Sequence, residues 1–362
     1  MAGKSAAMVL TAPKKLELRE FPIPEIGQED ALLRMEACGI CGSDYEMYEG
    51  AYSLSYPFIP GHEPLGVIEK IGSIAARRWG VGEGDRVAVE PMVGCGYCRE
   101  CRSGSYRLCS GGGRSYGTIP IQNGPALLGG YAQYMYLAPQ TIVHKVPADI
   151  PADIAVMFNP LGAGLRWAVD MPGTKFGDTV VILGPGQRGL ASVIATHEAG
   201  AQRIIVTGLA RDARKLQLAR EFGATDTINV EQQDAVAAVK EITGSEMADV
   251  VVDVAPYDPD TVTQGLAMVR RGGTVILAGT KGRNPVKGLF SDRIVVNEIR
   301  VQGAMSVDLH SYGLAIKLIE RRRDLLAKMH THTLPIQKAE YAIELLAGKI
   351  PGEQAIHIAL TP

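Results

Sequence analysis

Residues 179–208, TVVILGPGQRGLASVIATHEAGAQRIIVTG, constrain this chain more tightly than any other stretch. The apolar run 180–183 predicts a strand buried on both faces. Gly184, Gly186 and Gly189 follow at G-x-G-x-x-G spacing, and the apolar-periodic segment behind them predicts a helix. A second apolar run, 203–207, closes a β-α-β unit. The first glycine lets the turn be tight, the second lets backbone approach a pyrophosphate, and the third lets helix pack on strand. The helix N-terminus then presents its positive end to the phosphates. In this strand-turn-helix-strand context the glycines point to a dinucleotide site. Gln187 and Arg188, between the second and third glycines, belong to the same cofactor-facing turn.

Bulk properties bound what surrounds that unit. A chain of 362 residues exceeds what one hydrophobic core usually serves, so two domains are expected. With 46% hydrophobic residues and a net charge of -2, the chain has no global basic field for nucleic acid or anionic membrane. No apolar run is long enough for a membrane span, and the apolar stretch 6–10 is too short for a signal-peptide core. A cytoplasmic protein is the expectation. Of the 6 cysteines, four lie within 95–109 and the others are Cys38 and Cys41. Such crowding argues for metal rather than disulfides.

In chain order, residues 8–37 carry short strand signals that open a β-rich domain. EACGICGSDYEMYEG then places Cys41 in a glycine-punctuated turn, with Ser43 and Asp44 just beyond. PFIPGHEPLGVIEKIG places His62 and Glu63 after a Pro-Gly turn. Together they offer a thiolate, an imidazole and a carboxylate, the ligand types of a zinc site that keeps a position open. On spacing alone, an inert buried cysteine and a surface His-Glu turn are equally good readings. Cys95, Cys98, Cys101 and Cys109 follow C-x2-C-x2-C-x7-C spacing. Four thiolates can close a tetrahedron with no open position, which points to structural zinc; redox thiols or two disulfides are the alternatives. Tyr116, in the glycine-rich loop behind them, reads as packing or surface.

Beyond the fingerprint, TDTINV, ADVVVDVAP, GTVILAGT and IRVQGAM read as strands, and segments around 214–222, 233–242 and 260–270 as helices. This alternation predicts a parallel doubly wound sheet ending near Gly303. The second strand ends on Gly208, where an acidic residue would grip the 2′-hydroxyl of NAD. Asp212 follows, flanked by Arg211 and Arg214. The arginines suit a 2′-phosphate, and Asp212 suits a helix cap, so NAD and NADP both stay open. Lys281, Arg283 and Arg293 read as surface charge, and residues 330–332 (His-Thr-His) as a surface turn. Tyr45, Phe58, Trp167 and Met305 are candidate apolar pocket residues.

CGICGSD, GHEPLGVIEKIG, VGEGDRVAVEP and GCGYCRECRSGSYRLC, with the fingerprint, resemble the zinc-containing medium-chain alcohol and polyol dehydrogenases over essentially the whole chain. The resemblance implies an α/β fold, with a doubly wound parallel (Rossmann) sheet plus a β-rich GroES-like catalytic domain. It implies a catalytic domain of residues 1–155 and 304–362, with a structural zinc lobe at about 94–110, and a dinucleotide-binding domain of 156–303. It further implies catalytic zinc held by Cys41, His62 and Glu63, structural zinc in the four-cysteine lobe, and NAD or NADP as cofactor. Ser43 matches the hydroxyl that begins the family's proton relay, and Asp44 the carboxylate that orients the zinc histidine. The implied reaction is reversible hydride transfer between a small alcohol (secondary, polyol or aryl) and nicotinamide. The implied assembly is a homodimer or homotetramer with paired edge strands.

Two positions depart from the family. Asn159 stands where a glutamate near or on the catalytic zinc is usual, and Glu46 where a relay histidine is common. Asn159 either hydrogen-bonds the zinc water, or ligates through a weak neutral oxygen, or marks an inner site that is often empty. A zinc-independent enone or quinone reductase on the same fold is the rival enzyme reading. A zinc-ribbon nucleic-acid module is the rival of another class, with Arg99, Arg102, Arg107 and Arg114 near the lobe.

Overall fold

In the structure, a computed structural model that describes residues 3–362, the apolar run behind Asp178 becomes a central strand of a six-stranded sheet. The strands are β1 (Thr179–Leu183), β2 (Arg203–Gly208), β3 (Asp226–Asn229), β4 (Ala248–Asp253), β5 (Val269–Leu277) and β6 (Arg300–Gly303). Their order is β3-β2-β1-β4-β5-β6 and every neighbouring pair is parallel. This is the expected doubly wound order, which reverses direction beside β1 and gathers ligand-binding turns at the strand C-termini. Val180, Val181 and Ile182 are fully buried, which is why β1 shows no polar alternation.

Helices Gln187–Glu198, Ala213–Glu221, Ala235–Ile242 and Asp260–Met268 follow β1 to β4 in turn, as the sequence pattern predicts. The fingerprint turn has the backbone its glycines were read for. Gly184 has φ of 102°, a left-handed conformation that disfavours any side chain. A Cβ on Gly189 would collide with the Gly184 carbonyl oxygen. Residues Pro160–Ala315 make up this unit, and Met1–Asn159 with Ile316–Pro362 make up the other.

The second unit is β-rich. Its largest sheet runs His330–Pro335, His357–Thr361, Ala31–Ile40, Pro64–Ile71, Arg86–Val89 and Val143–Lys145, and Tyr134–Leu137 also pairs with Ala31–Ile40. Leu33, Ile40, Ile59, Ile68, Val87, Met135 and Ile358 fill its core. Phe58, offered by the sequence as a pocket residue, belongs to this core and stacks on Tyr56 with centroids 5.4 Å apart. Tyr116 is core as well, its hydroxyl 2.5 Å from Thr141 Oγ1 and accepting from the Ala138 N–H at 2.7 Å. His330 and His332 do not lie in a turn. They belong to a strand that pairs in parallel with His357–Thr361, a partner too distant in sequence to leave a local signal. Among the described residues, no helix is long and apolar enough to cross a membrane.

Candidate metal and dinucleotide sites

Strand Ala31–Ile40 delivers Cys41 to the N-terminus of helix Gly42–Tyr48. The Cys41 N–H donates to Asp44 Oδ2 at 2.9 Å, so Asp44 locks the start of the helix that carries it. Asp44 is buried, and its other oxygen lies 3.4 Å from His62 Nδ1. That contact fixes the ring so that Nε2 faces Cys41 Sγ at 3.1 Å and Ser43 Oγ at 3.4 Å. Ser43 Oγ is itself 2.8 Å from Cys41 Sγ.

Glu63 is fully buried, and its carboxylate joins Cys41 Sγ and a His62 ring nitrogen in a cluster whose donor atoms all lie within 4.8 Å of one another. Gly39 makes room for it, because a Cβ there would overlap a Glu63 carboxylate oxygen. A thiolate, an imidazole and a carboxylate at this spacing fit one zinc ion with bonds of about 2.0–2.3 Å. Burial opposes charge on His62, but the Cys41 thiolate and the Asp44 carboxylate outweigh it and hold the ring well above its ordinary pKa. Asn159 is buried in the first turn of helix Phe158–Leu165. Glu46 is also buried, one helical turn beyond Ser43, and accepts a hydrogen bond from the Tyr52 hydroxyl.

The four-cysteine lobe begins from a two-stranded clasp, Met92–Val93 against Arg114–Ser115. Cys95, Cys98, Cys101 and Cys109 bring their sulfurs within 4.8 Å of one another. Cys95 Sγ is 3.9 Å from Cys101 Sγ, and Cys98 Sγ is 3.7 Å from Cys109 Sγ. A regular tetrahedron with zinc–sulfur bonds of about 2.3 Å has edges of about 3.8 Å. Backbone N–H groups support the sulfurs: Cys95 donates to Cys109 at 3.3 Å, Cys98 to Cys95 at 3.3 Å and Cys101 to Cys98 at 3.4 Å. The Cys101 N–H is the main reason the Cys98 thiol falls to about 6, whereas burial pushes Cys101 up to about 12. Four sulfurs at these separations could surround one zinc ion and take all four of its tetrahedral positions.

In the parallel-sheet unit, Gly184, Gly186, Gln187, Arg188 and Gly189 form the turn and first residues of the helix after β1. Gly208 ends β2, and Arg211, Asp212 and Arg214 occupy the turn and helix start behind it. Asp212 acts as a cap, with Oδ2 accepting from the Leu209 N–H at 3.2 Å. Arg211 and Arg214 are exposed.

Three sets of contacts escaped the sequence reading. Lys281 is not surface charge: its Nζ lies 2.8 Å from Asp253 Oδ2 and 2.8 Å from Thr261 Oγ1, and it donates to the Ala255 carbonyl. Asp253 closes β4 and is fully buried, and burial pulls its pKa up against the opposing pull of Lys281. An aspartate ending the apolar run VVVD was the available signal. Arg293, also read as free surface, donates to the Leu266 carbonyl at 2.8 Å and the Ala267 carbonyl at 3.2 Å near the end of helix Asp260–Met268. The third, between Trp167 and Arg188, involves residues with no sequence pattern linking them.

Residues 27–148 match the alcohol dehydrogenase GroES-like domain and residues 189–321 the zinc-binding dehydrogenase domain. A probable alcohol dehydrogenase of Mycobacterium tuberculosis is 46% identical over 98% of this chain and 98% of its own. An erythritol/L-threitol dehydrogenase of Mycolicibacterium smegmatis is 33% identical over 99% of this chain and 98% of its own. Among solved structures, a chain from Sinorhizobium meliloti assigned as a zinc-binding dehydrogenase and bound to NADP superposes with a TM-score of 0.87. That chain is 27% identical, over 99% of this chain and 100% of the other. The protein belongs to the zinc-binding alcohol dehydrogenases of the medium-chain dehydrogenase/reductase family. It is an NAD(P)-dependent oxidoreductase of the alcohol dehydrogenase type.

Proposed function

We propose that this chain is a zinc-dependent dehydrogenase that moves hydride reversibly between a secondary alcohol or polyol and a nicotinamide dinucleotide. The observation that carries the reading is the buried Cys41–His62–Glu63 donor cluster with Ser43 Oγ beside it. Zinc held by these three residues supplies Lewis acidity toward the substrate oxygen. The nicotinamide supplies the hydride acceptor. Cys41 and Glu63 bring negative charge that balances the metal, and Asp44 keeps His62 in the ligating orientation through Nδ1.

Ser43 would be the first proton acceptor: its hydroxyl would take the alcohol proton while releasing its own to solvent. Glu46 stands one turn further along the same helix, so a carboxylate replaces the relay histidine usual in the family. Asn159 brings a neutral amide where the family carries a carboxylate, and we assign it to hydrogen bonding beside the metal rather than to ligation. The Gly184–Gly186–Gly189 turn receives the pyrophosphate at the N-terminus of its helix. The relative acting on erythritol and L-threitol supports a polyol among the substrates. The four thiols of the lobe suit a reducing compartment such as the cytoplasm. The outermost strand β6 is exposed along its whole length, and Phe290, Val295 and Val296 beside it are 78%, 73% and 73% exposed. A second copy of the chain, pairing β6 with β6, would cover them.

The test is metal content by elemental analysis, paired with NAD- and NADP-linked oxidation of a panel of secondary, polyol and aryl alcohols. About two zinc ions per chain are expected. Cys41→Ala should lose one of them together with alcohol oxidation, and Cys98→Ala the other. A single zinc ion that survives Cys41→Ala, together with undiminished reduction of enones or quinones, would replace this reading with a zinc-independent reductase.

A further inference from the structure

In a doubly wound nucleotide fold, the end of the second strand lies beside the adenosine ribose. A carboxylate there grips the 2′-hydroxyl of NAD, whereas an arginine accommodates the 2′-phosphate of NADP. Here that strand, β2, ends on Gly208. The position is closed as well as neutral. A Cβ on Gly208 would lie 2.9 Å from Pro185 Cγ and 3.1 Å from Leu216 Cδ2. Pro185 sits between the first two fingerprint glycines. The turn that receives the pyrophosphate therefore fills the space an acidic side chain would need, and the proline and the missing acid are one structural feature.

The next acid cannot take over the task. Asp212 is 8% exposed, its Oδ2 holds the Leu209 N–H at 3.2 Å and its Oδ1 pairs with Lys215 Nζ at 3.0 Å. Glu231 reaches the turn from beyond β3, where Oε2 accepts from the Ala210 N–H at 2.6 Å, so one of its oxygens is spent on backbone. Against these two carboxylates stand Arg211, Arg214 and Lys215, and both arginines are solvent-exposed at the start of the helix after β2.

Resting on the dinucleotide reading above, we propose that this chain selects NADP over NAD, with Arg211 and Arg214 meeting the 2′-phosphate. The phosphate carries close to two negative charges and three acceptor oxygens, which suits exposed guanidinium groups. Because the contact is exposed, the preference should weaken as salt rises.

Binding of 2′,5′-ADP and of 5′-AMP to the full chain, measured by calorimetry, tests this without turnover or metal. The bisphosphate is expected to bind at least about tenfold more tightly. The Arg211→Ala/Arg214→Ala double variant should bring that ratio close to one while 5′-AMP affinity holds, and Glu231→Gln should widen it. NADP and NAD are expected to follow the same ratio. Equal or weaker binding of the bisphosphate, or a ratio unmoved in the double variant, overturns the NADP inference and leaves the dinucleotide reading standing. Binding of neither nucleotide overturns both.

Discussion

The Arg188 guanidinium lies over the Trp167 ring, 5.1 Å from its centroid. Trp167 is 3% exposed, and its indole N–H donates to the Ser306 carbonyl at 3.0 Å. Arg166 Nη1 donates to the same carbonyl at 3.3 Å, and Arg166 Nε pairs with Asp308 at 2.9 Å. Ser306 has φ of 55°, a left-handed conformation that a non-glycine residue adopts only when its surroundings enforce it. The indole is thus clamped from behind and offers one face to Arg188, the second residue of the fingerprint helix. Such a cation–π contact contributes about 0.5–2 kcal/mol.

This pair predicts how the pyrophosphate is held. Arg188→Met should weaken dinucleotide binding about tenfold, because a charge partner at the helix N-terminus is lost. Trp167→Leu should act in the same direction but more weakly, since the arginine remains and only its steering goes. Trp79 is the other tryptophan, so Trp79→Phe leaves Trp167 as the lone fluorophore. Its emission should change on cofactor binding, and a wild-type Kd in Arg188→Met would sink the assignment.

Lys281 should matter to stability well beyond an ordinary lysine. Its side chain is 11% exposed, and its ammonium faces Asp253, which is fully buried. Lys281→Met would leave that carboxylate uncompensated, at a cost of about 3–5 kcal/mol. Asp253→Asn/Lys281→Met should recover much of the loss, because no buried charge remains. Urea denaturation of both variants checks this; a single variant within 1 kcal/mol of wild type, roughly the scale of a surface pair, would contradict it.

What the sequence made legible follows from how local each signal is. The fingerprint, the buried run of β1 and the four-cysteine spacing each lie within one continuous stretch, and each reappears in the structure where its spacing placed it. Cys41 and His62 were harder, because 21 positions separate them and only the sheet brings Sγ and Nε2 to 3.1 Å. Lys281 and Trp167 were misread or left open because their partners lie in other elements, and a lone charge or aromatic carries no address. The strand at 330–335 was missed for a related reason. Its ladder partner lies at 357–361, and a parallel edge strand built from His and Thr lacks the apolar alternation that announces strands.

The proposed pairing of a second copy along β6 can be tested at its exposed valines. Val301 is 37% exposed within the strand, and Val295 and Val296 are 73% exposed on the helix before it. Val295→Asp/Val296→Asp should turn an oligomer into monomers without unfolding either unit, since neither side chain packs in the core. Sedimentation of the wild type and the variant decides the matter. A monomeric wild type would overturn the assembly, and an oligomer that survives the two aspartates would place its interface elsewhere.

His357 ties stability to pH. It is fully buried in the final strand, and burial, with His330 nearby, holds its pKa down to about 3 from an ordinary 6.5. The two Nδ1 atoms of His330 and His357 lie 3.0 Å apart, a contact that needs one ring to donate and the other to accept. His330 is lowered too, chiefly by burial, although Asp153 Oδ2 at 3.5 Å from its Nε2 works the other way. Thr333 Oγ1 lies 2.9 Å from the same nitrogen. Between pH 6.5 and about 3 the unfolded chain therefore binds a proton that the folded chain excludes. Stability rises with pH across that window and is lost as pH falls below 6.5, by about 1.4 kcal/mol per unit for this one group. His357→Phe removes the titrating ring while keeping bulk in the core. Its urea midpoint should fall less than that of the wild type between pH 7 and pH 5, even if it is lower at pH 7. Parallel pH profiles for the two proteins would show that the proton uptake that unfolds the chain occurs at other groups.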